Sequence, residues 1–283
     1  MGKGTLYLCA TPIGNLEDIT LRVIRTLEEV DYIVAEDTRH TLKLLNHLNI
    51  SKPLISYHKF SDKKRVEEIL TLLEDGNDIA LVSDAGMPGI SDPGEDLVRL
   101  AYQWDIPVTV LPGATAGLSA LVLSGLPSGR FVFEGFLPRE KREMERVLAL
   151  LKSEERTIVL YEAPHRLTAT LKKLYKALGN RSIAVIRELT KIHEEVLRFT
   201  LEEAIEYFTA NKPRGEFVLV LEGSESPGED NDFDDIPISH HIMEYMKLGL
   251  SKKEAIKKVA EDRNLPKSEV YPHSIHLPLR VEE

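Results

Sequence analysis

At 283 residues the chain is longer than one typical domain, so two or three are expected, and no apolar run approaches the ~20 residues of a membrane span. The single cysteine, Cys9, excludes an internal disulfide, and with no clustered histidines a structural zinc site, or any metal, is not expected. The net charge of -10 argues against a uniformly basic nucleic-acid binder, but SESPGEDNDFDD (Ser224 to Asp235) alone holds six acidic residues and no basic one, leaving -4 elsewhere.

The opening MGKGTLYLCATPIGN lacks a signal-peptide layout and Leu6 breaks a myristoylation pattern, so a cytoplasmic protein with no membrane partner is expected. Thr5 to Cys9 reads as a strand that buries Cys9, followed by a helix over Leu21 to Val30 capped by Thr20. Strand Tyr32 to Ala35 leads to helix Thr38 to Leu48, with Asp37 or Thr38 as its cap. Strand Leu54 to Tyr57 leads to helix Asp62 to Glu74, which turns Val66, Ile69, Leu70 and Leu73 inward. Strand Ile79 to Val82, helix Glu95 to Trp104, strand Val108 to Leu111 and a helix ending at Leu123 complete the first part. Strands alternating with helices predict a mostly parallel, helix-covered sheet.

The turn-rich SGLPSGR (Ser124 to Arg130) is a candidate domain boundary. Beyond it, Phe131 to Phe136, Thr157 to Tyr161, Ile183 to Arg187, Glu195 to Thr200 and Glu216 to Leu221 read as strands. Arg139 to Leu151, Pro164 to Leu178 and Leu201 to Phe208 read as helices. Adjacent strands with no helix between them predict a mixed sheet. The acidic stretch has no aliphatic content and reads as a linker. In the tail, Ser251 and Glu254 form a capping box that opens a helix to about Arg263, with Ala255, Ile256 and Val259 inward. A turn at Asn264 to Pro266 and a short helical start at Lys267 to Tyr271 suggest a helix-turn-helix, against which Pro272 stands as a breaker. The expected organisation is an α/β domain over 1–125, a second over 126–223, an acidic linker over 224–237 and a helix-turn-helix-like tail over 238–283.

Six loops rich in glycine, proline and charge follow strands. SDAGMPGISDPG (Ser83 to Gly94) puts glycines and two aspartates at the end of a buried strand, where α/β sheets bind ligands. ATPIGN (Ala10 to Asn15) suits close backbone approach but is not the glycine pattern of a dinucleotide fold. AEDTRHT places Glu36, Asp37, Arg39 and His40 at a strand end. PGATAG (Pro112 to Gly117) opens a helix whose free N–H groups can meet an acceptor. YEAPHR (Tyr161 to Arg166) and RELTKIHEE (Arg187 to Glu195) bring charge to second-domain strand ends. The cleft between the two domains is the expected site.

TPIGNLEDIT, SDAGMPGISDPG, LPGATAGLSAL, YEAPHRL, RELTKIHEEV and RGEFVLVLEG, in this order from about Leu6 to Gly223, resemble the tetrapyrrole methylase superfamily. YEAPHR, RELTK and GFLP (Gly135 to Pro138) are similar to its branch of small-subunit ribosomal RNA 2′-O-ribose methyltransferases. The resemblance implies two α/β domains with S-adenosylmethionine in the cleft between them, a homodimer, and methyl transfer to a cytidine of 16S rRNA near the decoding centre, on naked RNA or the 30S subunit. It implies cofactor contacts at Pro12, Gly14, Asp84, Ala85, Gly86, Met87, Pro112, Gly113, Ala114, Thr115, Ala116 and Tyr161, closed by Leu189, Glu216, Phe217 and Val218. Ser83 stands where tetrapyrrole-acting relatives usually carry glycine, which favours the RNA branch.

Methyl transfer to a ribose hydroxyl needs in-line approach, and positioning supplies roughly 7–11 kcal/mol of barrier reduction in good cases. A base adds ~10²–10⁴-fold, and Glu188, Glu162 and His165 are candidates by location. Glu162 and Glu188 read equally as structural partners of Arg166 and Arg187. Arg39, His40, His58, Lys59, Arg139, Lys141, Arg142, Arg166 and Lys191 are candidate contacts to RNA phosphate. Lys252, Lys253, Lys257 and Lys258 in the tail are either RNA contacts or a solvated helix face. Two rivals are a methyltransferase for a corrin or porphyrin precursor and a ligand-sensing regulator that binds DNA through the tail.

Overall fold

The computed structural model describes residues 2–58, 63–224, 236–263 and 265–278. Lys59, the predicted helix start at Asp62, the acidic stretch from Glu225 to Asp235 and Asn264 lie outside the described residues. Residues group into two compact units, Met1–Gly223 and Ser224–Glu283.

The first unit begins with β1 (Leu6–Cys9), α1 (Leu21–Glu29), β2 (Tyr32–Ala35), α2 (Thr38–His47), β3 (Leu54–Ser56), α3 (Lys63–Glu74), β4 (Ile79–Val82), α4 (Gly94–Gln103) and β5 (Val108–Leu111). The five strands form one sheet in the order β3-β2-β4-β1-β5, parallel at every pairing. The central strand, IALV, is buried at all four positions, as expected of a parallel strand covered on both faces. Leu6, Val34, Leu81 and Leu97 belong to the core on one face, and Cys9, Val23, Leu27 and Ile33 to the core on the other. Burial pushes the Cys9 thiol up to about 12, so it behaves as a small apolar side chain. Thr20 caps α1 by accepting the Val23 N–H at 3.2 Å, and Asp37 caps α2 by accepting that of Arg39 at 2.9 Å.

The second sheet follows α5 (Ala116–Ser124). It comprises β6 (Phe131–Phe136), β7 (Thr157–Glu162), β8 (Ser182–Arg187), β9 (Glu195–Thr200) and β10 (Phe217–Leu221), with α6 (Lys141–Leu151), α7 (Leu167–Leu178) and α8 (Leu201–Ala210) between them. The order is β6-β7-β10-β8-β9, with only β6 and β7 parallel, so the mixed sheet expected from adjacent strands is present. Leu148 of α6, Leu171 of α7 and Phe208 of α8 pack on one face of it. On the other face, Ala120 and Leu121 of α5 pack with Val159, Ala184 and Val220. The chain does turn at SGLPSGR, where Gly125 takes φ +75° after α5. The helix before that turn nevertheless already belongs to the second sheet's core, which binds both sheets into one unit.

Two predicted helix starts are too early. Residues 163–166 form a turn in which Ala163 O accepts the N–H groups of Arg166 and Leu167, so α7 begins at Leu167 rather than Pro164. Glu140 accepts the N–H groups of Arg142 and Glu143, so α6 begins at Lys141 rather than Arg139.

The C-terminal unit contains α9 (Ile238–Lys247), α10 (Lys252–Asp262) and the short α11 (Lys267–Val270) around Ile242, Met246, Ile256, Val259 and Val270. The Ser251–Glu254 capping box is present. The preceding helix α9 was not foreseen. Pro272 does not break a helix interior, because it sits early in a separate 3₁₀ turn (Tyr271–Ser274), where its missing N–H is not needed. No helix among the described residues is long and apolar enough to cross a membrane.

Candidate functional site

A cavity of about 550 Å³ lies where the carboxyl ends of the first sheet's strands face the second sheet. Its first-sheet wall comes from Ile13 after β1, Glu36 after β2, Ser83 to Met87 and Ile90 to Asp92 after β4, and Thr115 and Ala116 at the start of α5. Its second-sheet wall comes from Phe136 at the end of β6, Tyr161 to Pro164 after β7, Ile186, Leu189 and Lys191 around the end of β8, and Glu216 to Val218. Because β10 runs antiparallel to β7 and β8, its amino end pairs with their carboxyl ends, with Phe217 opposite Glu162 and Arg187.

Backbone geometry shapes the first wall. Gly86 takes φ +82° and forms a two-way bridge with Thr11, N···O 2.9 and 3.1 Å, tying the β4 loop to the β1 loop. A Cβ on Gly86 would lie 3.1 Å from Ile13 and 3.3 Å from the Ala114 carbonyl, so glycine is favoured there by its φ, and the space for a side chain is tight. Asp92 is the hub of the loop and accepts the N–H groups of Gly89 at 2.9 Å and Gly94 at 2.7 Å. Burial pushes its carboxyl up against the pull of those donors. Asp84 accepts the Asp37 N–H at 3.1 Å and so joins the β2 and β4 loops. Beside it, burial and then the Asp84 and Asp92 charges raise Glu36.

Charged ties and aromatic packing shape the second wall. The buried Glu162 takes the Thr170 hydroxyl at 2.5 Å, the Ala163 N–H at 2.9 Å and Arg166 Nε at 3.3 Å. Glu188 and Thr190 hold φ of +50° and +65°, a region unfavourable for non-glycine residues that costs ~1–3 kcal/mol each. Glu188 Oε1 accepts Lys191 Nζ at 3.0 Å and the Glu216 N–H at 2.8 Å. Burial raises the Glu188 carboxyl, but those donors and the Lys191 charge outweigh it and hold it below the usual range. The irregular register of β6 between Phe133 and Gly135 brings Phe133 and Phe136 to the same side, three residues apart. Both pack edge-on to Tyr161, at 5.1 and 5.6 Å. The Tyr161 hydroxyl accepts the Gly117 N–H of α5 at 3.0 Å.

Of the cofactor candidates, Asp84, Ala85, Gly86, Met87, Thr115, Ala116, Tyr161, Leu189, Glu216, Phe217 and Val218 line the cavity. Pro12, Gly14, Pro112, Gly113 and Ala114 do not. Gly14 is needed for another reason: a Cβ there would lie 2.5 Å from Lys191 and 2.6 Å from the Thr190 hydroxyl. Gly113 lies against Ala10, whose Cβ would be 2.7 Å from an added one.

The three acid-base candidates fare differently. Glu188 is outside the cavity lining, with its carboxylate engaged by Lys191 and the Glu216 backbone. Glu162 lines the cavity, but its carboxylate is held by Thr170, Arg166 and its own loop. His165 is exposed and outside the lining. The alternative of a structural pair holds for Glu162 with Arg166, whereas Arg187 pairs with Glu195 at 3.4 Å rather than with Glu188.

Among the basic candidates, Arg166 is committed to Glu162 and the Leu137 carbonyl, and Lys191 to Glu188 and Glu216, so neither is a simple phosphate contact. Arg39 is forked onto Asp37, holding that carboxyl down to about 2. His40, His58, Arg139, Lys141 and Arg142 are exposed. The contacts implied by the resemblance did not include Glu36, Asp92 or Phe136, although the loops carrying the first two stand out in the sequence. Their signals were available: the first stands at a strand end, the second in the richest loop, and the third beside Gly135.

The family model for Tetrapyrrole (Corrin/Porphyrin) Methylases matches residues 5–205. A Synechocystis sp. protein named Ribosomal RNA small subunit methyltransferase I is 50% identical over 275 residues, covering 97% of this chain and 98% of that protein. A Thermotoga maritima protein of the same name is 50% identical over 222 residues, its whole length, which is 78% of this chain. Among solved structures, a uroporphyrin-III C-methyltransferase from Thermus thermophilus complexed with S-adenyl homocysteine shares the fold, with TM-score 0.53, 21% identity, and coverage of 77% of this chain and 97% of that one.

Proposed function

This chain belongs to the Tetrapyrrole (Corrin/Porphyrin) Methylases, and we propose that within that family it transfers a methyl group from S-adenosylmethionine to the 2′-hydroxyl of a cytidine in 16S ribosomal RNA near the decoding centre. The observation that carries the reading is the near-full-length identity to proteins named for small-subunit rRNA methylation, on a chain whose cavity suits a cationic nucleoside cofactor. The cavity's size is typical of a small-molecule site. Its walls combine apolar side chains with the carboxylates of Glu36, Asp84 and Asp92, which complement a sulfonium and an ammonium. When bound, the cofactor would supply an electrophilic methyl: the ribose oxygen would bond to its carbon as the carbon–sulfur bond breaks, leaving the neutral thioether, and the hydroxyl proton would pass to water. Gly86 and the Thr11 bridge hold the floor, Tyr161 stands at the α5 end, and Leu189 and Val218 exclude water.

None of Glu188, Glu162 and His165 presents a free proton acceptor to the cavity, so this reading rests on positioning rather than on a base from that set. Arg139, Lys141 and Arg142, which follow Phe136 by three to six residues, are the proposed phosphate contacts beside the second wall, with the exposed His40 and His58, which follow β2 and β3, on the first-sheet side. The protein acts in the cytoplasm as a homodimer. Exposed Leu118 and Val122 of α5 and Phe131 and Phe133 of β6 support that assembly, since Phe133 packs at Gly117 and joins the two elements into one apolar surface.

The test is incubation with tritiated S-adenosylmethionine and, separately, 30S subunits and protein-free 16S rRNA lacking the modification. Label in alkali-resistant dinucleotides is the expected result. Cofactor binding by calorimetry without label in either RNA overturns the reading and turns attention to corrin or porphyrin precursors.

A further inference from the structure

The loop joining β8 to β9 supplies Leu189 and Lys191 to the cavity, and one residue further on Ile192 is 98% exposed. His193 beside it is exposed as well. A single exposed aliphatic side chain is ordinary on a protein surface. What sets this one apart is the rigidity of its support. Two non-glycine residues within three, Glu188 and Thr190, are held at positive φ. The Thr190 N–H donates to Glu194 at 2.6 Å, the Glu194 N–H donates to the Lys191 carbonyl at 3.0 Å, and the Asn15 N–H donates to the Thr190 hydroxyl at 3.0 Å. Gly14 presses on the same loop from the first sheet. Strain concentrated in a segment that the surroundings over-determine points to function. Here the strained, tied segment fixes an apolar tip in water at the cavity edge and buries nothing with it.

We propose that Ile192, supported by His193, is the wedge that keeps the target nucleotide out of its stack: Ile192 enters the place the base vacates while the ribose reaches the cavity. The inference rests on the proposed RNA methylation. The 2′-hydroxyls of a paired segment line a shallow minor groove, but a methyl donor held in a cavity between two sheets reaches one only when its nucleotide leaves the stack and enters the cleft, as in enzymes that extrude a nucleotide into a pocket. Apolar side chains inserted between bases serve that purpose in proteins that deform nucleic acids. Lys191 cannot be the wedge, because its ammonium is fixed to Glu188 and Glu216.

The test compares wild type, Ile192→Ser and Ile192→Met in steady-state methyl transfer to 30S subunits, with cofactor affinity and thermal stability measured in parallel. Ile192→Ser is expected to lower kcat/KM about ten-fold, the scale of losing the burial of one aliphatic side chain against the bases, while Ile192→Met stays within about two-fold. Cofactor affinity and stability should not change, because the side chain touches neither core nor cavity. Ile192→Ser equal to wild type overturns the wedge, as does an equal fall in Ile192→Met, which would point to backbone shape rather than an apolar insertion. Wild-type protein that binds cofactor but labels no RNA overturns the function instead, before any variant is compared.

Discussion

The two walls of the cavity are held by different means. On the first sheet the loops owe their shape chiefly to backbone: Gly86, Gly89 and one non-glycine, Ser91, at positive φ, the Thr11–Gly86 bridge, and Asp92 gathering neighbouring N–H groups. On the second sheet the positive-φ positions include, beside Gly135 and Gly215, a glutamate and a threonine, Glu188 and Thr190, and charged side chains tie this wall: Glu188 with Lys191, and Glu162 with Arg166. A glycine loop carries its conformation in the residue itself. A loop of Glu188 and Thr190 has it imposed from outside, so it fails when a distant partner is removed.

The largest effect should come from Glu162→Ala, which leaves Arg166 without its buried partner and Thr170 without its acceptor. A loss of ~3–5 kcal/mol in urea unfolding is expected, and a loss below about 1 kcal/mol would break the claim that charged ties carry the second wall. Glu188→Ala should cost ~1.5–3 kcal/mol and speed hydrogen exchange over 188–194. Its pH dependence sharpens the point. The carboxyl is depressed in the fold, so its contribution is fully present above the ordinary value of 4.5 and is lost as pH falls through the depressed one. The stability gap between wild type and Glu188→Gln should therefore close as the pH drops below that value. Gly86→Ala should cost ~1–2 kcal/mol for the left-handed backbone and weaken cofactor binding, while leaving exchange over 188–194 unchanged. If that exchange rises too, the two walls are not independent.

The smallest effect is expected from ending the chain after Gly223. The Thermotoga relative leaves about as many residues of this chain unmatched as the C-terminal unit contains. Cofactor affinity measured by calorimetry should stay within about two-fold.

The same contrast explains what the sequence disclosed. The Ser83–Gly94 loop was legible because glycine and proline declare their dihedrals, and the four residues proposed from it as cofactor contacts line the cavity. The strand alternation and the capping residues Thr20 and Ser251 are likewise local signals. The engagement of Glu188 was only half legible: Lys191 is three residues away, but the Glu216 N–H is 28 positions away, just before a strand whose place between β7 and β8 no local pattern reveals. Gly14 and Gly113 were read as ligand contacts because a glycine needed for close packing looks the same in sequence as one needed for a ligand. Phe136 was missed because the irregular β6 register overrides the alternation that would have put it opposite Phe133.

The place of β10 also bears on how the protein is made. The last strand of the first unit, Phe217–Leu221, is the middle strand of its sheet. During synthesis from the amino end the first sheet can close early, but the second waits for nearly all of its sequence. A nascent chain stopped before residue 217 holds only two separate ladders, β6–β7 and β8–β9, with no hydrogen-bonded neighbour to join them. The core on the α5 face lacks Val218 and Val220 until the final strand arrives. Premature stops just short of Leu221 should therefore be recognised by quality control as unfolded in this half, while stops a few residues later should not.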